Sequence, residues 1–155
     1  MAAAETTGGA ASPRIGPAFR EDLPGILSLL EESGLPEDGL ADHLGTTLVA
    51  REGARVVGSA ALELHRFVVL LRSVAVAADR RGQGLGRRLA REALALARGR
   101  GAERAYPLTE TADGFFPRFG FRPIGRAEVP EDVRGSVEFV SACPESARAM
   151  AAELA

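Results

Sequence analysis

Residues 70–97, LLRSVAVAADRRGQGLGRRLAREALALA, join an apolar run to an amphipathic one through a glycine turn edged with arginine. The turn reads Arg81, Gly82, Gln83, Gly84, Leu85, Gly86. Glycine at 82, 84 and 86 removes the Cβ atoms that would block close backbone approach, so successive N–H groups can converge on one anion at the start of a helix. The helix dipole adds about half a positive charge there. Arg81, Arg87 and Arg88 supply full charges around the same mouth. Guanidinium groups match phosphate geometry, so the arrangement suits a nucleotide-like ligand with several phosphates.

The spacing narrows the ligand. A Walker loop needs Gly-Lys-Ser/Thr at the helix start, and the chain has no such triplet. The dinucleotide pattern G-x-G-x-x-G fails as well, because Gly82, Gly84 and Gly86 alternate. What remains is R-x-x-G-x-G from Arg81 to Gly86, behind the VAV run Val74, Ala75, Val76. This resembles the acetyl-CoA signature of the GCN5-related N-acetyltransferase (GNAT) superfamily. The resemblance implies acetyl-CoA as cosubstrate, held by Arg81, Gly82, Gln83, Gly84, Leu85, Gly86 and Arg87. It further implies that the backbone of Val74, Ala75 and Val76 meets the acetyl carbonyl and the pantetheine amides in a gap between two strands.

The likeness runs over nearly all of 14–154. Residues 112–121, ADGFFPRFGF, are similar to the family's second conserved stretch, which places Phe115 and Phe116 beside the cofactor. Most relatives carry a tyrosine at the position of Phe116, near the thioester sulfur. A phenyl ring has no proton to donate, so a tyrosine-acid mechanism does not carry over. The run LTETADGFFPRFGFRPIGRAEVP resembles the acetyltransferase domain of bacterial N-acetylglutamate synthases. LLRS before the VAV run, LE in the preceding strand and the tail SVEFVSACPESARAM are similar to small N-acetyltransferases of arsenic-resistance operons. The implied reaction is acetylation of the primary amine of a small amino acid or analogue, glutamate-like or an organoarsenical or phosphinic amino acid. Acetylation of a protein or peptide, or a non-catalytic CoA-binding sensor, are the alternatives.

Acetyl transfer needs a deprotonated amine, a polarised thioester carbonyl and fixed attack geometry. Glu63 interrupts the apolar run SAALELH, and a carboxylate there must find water, a cation or a substrate amine. It is the candidate base and ammonium partner. The position of the base glutamate of histone-type relatives is Leu70 here, which cannot act. Arg72 interrupts the next apolar run and is the candidate partner of an acceptor carboxylate, with a structural pair to an acid such as Glu63 as the competing reading. Thr109 and Thr111 are candidate hydroxyls of the same cleft, and Thr111 or Asp113 equally suits a helix cap. His43 and His65 lack neighbours at metal-ligand spacing, so no metal is expected. Cys143 has no activating base in sequence, and one thiol is a poor arsenic site.

These residues must be placed by one domain. The chain has 155 residues, one cysteine, no tryptophan, one tyrosine and a formal net charge of -2. Such a charge offers no field for nucleic acid, and small soluble ligands fit better. A single cysteine excludes an intramolecular disulfide. No apolar run approaches the roughly 20 residues that cross a bilayer. The opening MAAAETTGGAASP does not read as a secretory signal, so a disordered tail over 1–13, a domain over 14–155 and a cytoplasmic protein are expected, with a homodimer left open. Strands are expected over 14–19, 47–51, 55–64, 67–76, 104–108, 121–124 and 137–140. Helices are expected over 22–33, capped by Asp22 with Pro24 in its first turn, and over 38–44, 84–98 and 113–119. The order βααβββαβαββ departs from regular βαβ alternation and favours an α/β (α+β) domain with a mixed, mostly antiparallel sheet flanked by helices, which is also the order the resemblance implies.

Overall fold

The computed structural model describes residues 13–109, 120–134 and 148–154. The strands are β1 (Arg14–Pro17), β2 (Thr47–Glu52), β3 (Arg55–His65), β4 (Val68–Val76), β5 (Arg104–Thr109), β6 (Arg122–Ile124) and β7 (Arg148–Glu153). The helices are α1 (Leu23–Glu32), α2 (Leu85–Gly99) and the short α3 (Glu131–Arg134). One seven-stranded sheet runs β1-β2-β3-β4-β5-β7-β6. Every neighbouring pair is antiparallel except β4 with β5. This is the mixed, mostly antiparallel α+β sheet that the element order points to.

Helix α2 forms because its apolar side chains recur at helical spacing: Leu85, Leu89, Ala90, Ala93, Leu94 and Ala97 are all buried. Its arginines 87, 91 and 98 stay exposed. The helix packs on β2, β3 and β4. Gly58 of β3 lies under it so closely that a Cβ there would come within 2.7 Å of the Leu89 side chain. Helix α1 buries Ile26, Leu29 and Leu30 and covers the other face, where its Gly25 approaches Val56. A register shift between Ala50 and Arg51 puts Val56 and Gly58 on opposite faces.

Three expectations need correction. Asp22 precedes α1 but does not cap it. Its carboxylate accepts the Phe19 N–H at 2.7 Å and two bonds from Arg51, so it closes the preceding turn and ties it to β2. The Arg51 guanidinium holds that carboxyl below its ordinary pKa. The helix expected over 38–44 is a 3-10 segment, Leu40–Thr46, broken at His43. The described sheet also contains β7, which the periodicity did not suggest. RAMAAE is built from helix formers, yet it fills the slot between β5 and β6, alternating Ala149 and Ala151 with Met150 and Ala152 on the two faces. The tail expected over 1–13 lies outside the described residues except for Pro13, and the helix over 113–119 and the strand over 137–140 lie wholly outside them. Among the described residues, no helix is long and apolar enough to cross a membrane.

Candidate active site

The turn into α2 has the form its residues demand. Gly82 and Gly84 adopt φ of 81° and 83°, a region that L side chains rarely enter. Gly84 is the residue preceding α2, and no side chain caps the helix. The N–H groups of the first turn, which includes Leu85, Gly86 and Arg87, thus lack a protein acceptor from any cap. No acid lies in that turn. An ideal Cβ on Gly82 or Gly84 would meet nothing within 4 Å, so the space above the turn is open. Leu85 anchors the helix start in the core while Gln83 and Arg87 are exposed. Arg81 reaches back to donate to the Val76 carbonyl at 3.0 Å, joining the turn to the end of β4.

Two surface ion pairs fix the chain between β4 and α2. Arg55 pairs with Asp79 through both guanidinium nitrogens, at 3.0 and 2.9 Å, and Arg80 pairs with Glu52. Arg80 holds the Glu52 carboxyl below its ordinary pKa, and Arg55 does the same for Asp79. The electropositive mouth and open backbone fit the phosphates of a CoA thioester.

Next to this mouth the sheet opens. β4 and β5 pair in parallel only from Val68↔Arg104 to Leu71↔Pro107, although both strands continue. Pro107 has no N–H to donate, and pairing ends at it. The upper half of β4 carries a second irregularity: Ser73 and Val74 together stand opposite Ala60. Ser73 takes φ of 59°, unusual for a residue with a Cβ. Ser59 Oγ holds it there, donating to the Ser73 carbonyl at 2.7 Å. The bulge and the lost pairing leave Val74, Ala75 and Val76 beside a gap that β5 does not close.

The two charged candidates lie at the foot of this bulge, and they meet each other. Arg72 Nη1 donates to Glu63 Oε2 at 2.7 Å, with both residues 2% exposed. Arg72 Nε donates to Ser73 Oγ at 3.1 Å, and Nη2 approaches the Pro36 carbonyl at 3.4 Å. Each guanidinium nitrogen already faces a protein acceptor. His65 Nε2 lies 3.6 Å from Glu63 Oε1, and His43 Nε2 lies 3.8 Å from Oε2. Thr109 ends β5 opposite Arg148. Thr111, Phe115, Phe116 and Cys143 lie outside the described residues.

Sequence reasoning did not single out Pro107, Ser73, Pro36 or the place of His43. A proline inside an otherwise regular strand was the readable signal for the gap. The single tyrosine, Tyr106, is buried on β5; Tyr106 and Glu153 beside Arg104 raise that guanidinium's pKa.

No curated protein sequence matches the chain. Solved structures do. N-acetylglutamate synthase from Neisseria gonorrhoeae, complexed with coenzyme A and N-acetyl-glutamate, is 24% identical with a TM-score of 0.79, over 94% of this chain and 36% of that one. The chain therefore spans about a third of the synthase's length. Rv2747 from Mycobacterium tuberculosis, in complex with CoA, is 24% identical with a TM-score of 0.78, over 92% of this chain and 100% of that one. A GNAT family acetyltransferase from Brucella melitensis, in complex with acetyl-CoA, is 27% identical with a TM-score of 0.59, over 70% and 82% of the two chains. The sequence profile of the acetyltransferase (GNAT) family matches residues 17–121, the stretch that holds the glycine turn, the opened sheet and the buried charges. The chain belongs to the acetyltransferase (GNAT) family.

Proposed function

We propose that the chain moves acetyl from acetyl-CoA to the primary amine of a small acidic amino acid or analogue, a class that takes in glutamate-like and organoarsenical amino acids. The observation that carries this reading is the buried Glu63–Arg72 pair beneath the bulge of β4. A zwitterionic acceptor brings one charge of each sign. It can therefore exchange partners with the pair, its carboxylate to Arg72 and its ammonium to Glu63 directly or through water, and bury no net charge. A neutral amine or a lone cation has no such exchange and would leave a charge uncompensated in a dry site.

Acetyl-CoA, when bound, supplies the acetyl group as a thioester. The turn from Arg81 to Gly86 holds its phosphates, Arg87 adds charge, and the backbone of Val74 to Val76 receives its amides. This reading assigns Phe115 and Phe116 to the cofactor and Thr109 and Thr111 to the acceptor. Because Phe116 offers no proton, the thiolate leaves unassisted or takes a proton from water.

Acetyl-CoA-dependent thiol release, scanned across free amino acids and their phosphinic and arsinic analogues, tests this reading. Acidic amino acids or analogues should turn over and plain alkylamines should not. Arg72→Lys keeps the charge but loses the planar fork, and should raise the acceptor KM about tenfold with CoA affinity unchanged. A normal acceptor KM in that variant would make the arginine merely structural.

A further inference from the structure

Two imidazoles beside the ion pair have no part in the reaction as drawn so far. Among the described residues, the charged and titratable groups facing Glu63 are Arg72 from β4, His65 from β3 and His43 from the segment between α1 and β2. His65 Nε2 is buried without a hydrogen-bond partner. That atom lies 3.6 Å from a carboxylate oxygen of Glu63, so the cluster holds hydrogen-bonding capacity that its protein neighbours do not use.

The chain around His43 is built to hold its ring in place. His43 takes φ of -116° and ψ of 20°, which breaks the 3-10 run. Its carbonyl accepts from Thr47 Oγ1 at 2.8 Å and lies 3.3 Å from Thr46 Oγ1, which donates to the Leu62 carbonyl at 2.6 Å. Thr47 Oγ1 thus ties the His43 backbone to the start of β2, and Thr46 Oγ1 ties the same turn to β3, the strand that carries Glu63. The His43 side chain is 31% exposed against 2% for Glu63. It is the most solvent-exposed of the groups around the carboxylate, and imidazole exchanges protons near neutral pH.

We propose that His43 accepts the proton that the acceptor ammonium must lose, with Glu63 as the positioning residue that holds the ring and balances its charge. Glu63 is poorly placed for that duty itself, because at 2% exposure it has no route to return the proton to water, whereas the His43 side chain is 31% exposed. The ammonium gives one proton to the His43 ring. The freed lone pair forms the N–C bond to the acetyl carbon as the C–S bond breaks, its electrons going to sulfur. The second nitrogen proton passes to water, water protonates the thiolate to give the thiol, and His43 returns its proton to water. The inference rests on the small-amine reading above.

The test is a pH profile of His43→Ala with an acceptor that the wild type acetylates. Turnover should fall on the order of a hundredfold, most at low pH, with acceptor KM and CoA affinity little changed and with partial recovery on adding imidazole. An equal loss at every pH without recovery, or no loss, would overturn the proposal. A second measurement needs no acceptor, so it separates this proposal from the substrate reading. In nuclear magnetic resonance spectra at fixed pH, Glu63→Gln should move the His43 ring resonances, because the two side chains lie 3.8 Å apart. Unmoved resonances would overturn the contact whatever the acceptor proves to be. Should Glu63→Gln fail to fold without the buried carboxylate, the His43→Ala profile decides alone, since a side chain 31% exposed can be truncated without opening the core.

Discussion

The proposed cofactor side and the proposed acceptor side of this site are made of different materials. The cofactor side is main chain: two glycines at positive φ, an uncapped helix start and a strand edge without a partner. Arg81, Gln83 and Arg87 around it are exposed. The acceptor side is side chain: one buried carboxylate, one buried guanidinium and two imidazoles, packed under the segment that includes Pro36 and His43. Backbone recognition tolerates many sequences provided glycine stands at the turn, whereas recognition by buried charges depends on each residue. A common cosubstrate with varied acceptors calls for that division.

The largest effect expected on either side is Arg72→Leu. It leaves Glu63 buried beside a hydrocarbon, which should cost about 3–5 kcal/mol of stability in chemical denaturation. Replacing both partners by leucine should recover most of that loss while removing acceptor recognition. If the double variant remains as unstable as the single one, the pair contributes packing beyond its charges. On the cofactor side, Gly84→Val places a branched Cβ over the turn and should lower CoA affinity on the order of a hundredfold in calorimetric titration. Unchanged affinity in the folded variant would move the phosphate site elsewhere.

Phe116→Tyr tests the proposed departure of the thiolate. Thiol release should change less than severalfold, because the proposed reaction uses no acid from that position; a large gain would show that leaving-group protonation limits the rate. The smallest effect is expected at the surface pairs. Asp79→Asn should lower the melting temperature slightly, and the difference should vanish in 1 M salt. Arginine partners depress the Glu52 and Asp79 pKa values, so this contribution is complete at neutral pH. It is lost only as the pH falls below about 4 and through those lowered values. The buried pair should show no comparable salt dependence.

The same division governs what the sequence makes legible. Glycine spacing and arginine at the α2 start are local, so the turn, the helix and the strand before it can be read directly from residues 70–97. The hairpins fall close to their expected bounds for the same reason, since Glu52-Gly53 and His65-Arg66 are local turn signals. Pairing across the sheet is not local. Glu63 and Arg72 can each be read as charges in search of partners, but only the β3–β4 register, Glu63↔Leu70 and Ala61↔Arg72, brings them together. His43 reaches them from 20 residues away, through a segment whose helical expectation hid its break. β7 was illegible because its alanines favour a helix until the sheet supplies two neighbours.

Pro107 gives the sheet two leaves, β1 to β4 and β5 with β7 and β6, hydrogen-bonded to each other over four register pairs only. Such a seam is where a domain breathes. Amides of the smaller leaf should exchange with solvent through openings that leave the larger leaf closed. A ligand that lies along the seam and bonds to β4 acts as a clasp, so bound cosubstrate should protect amides it never touches.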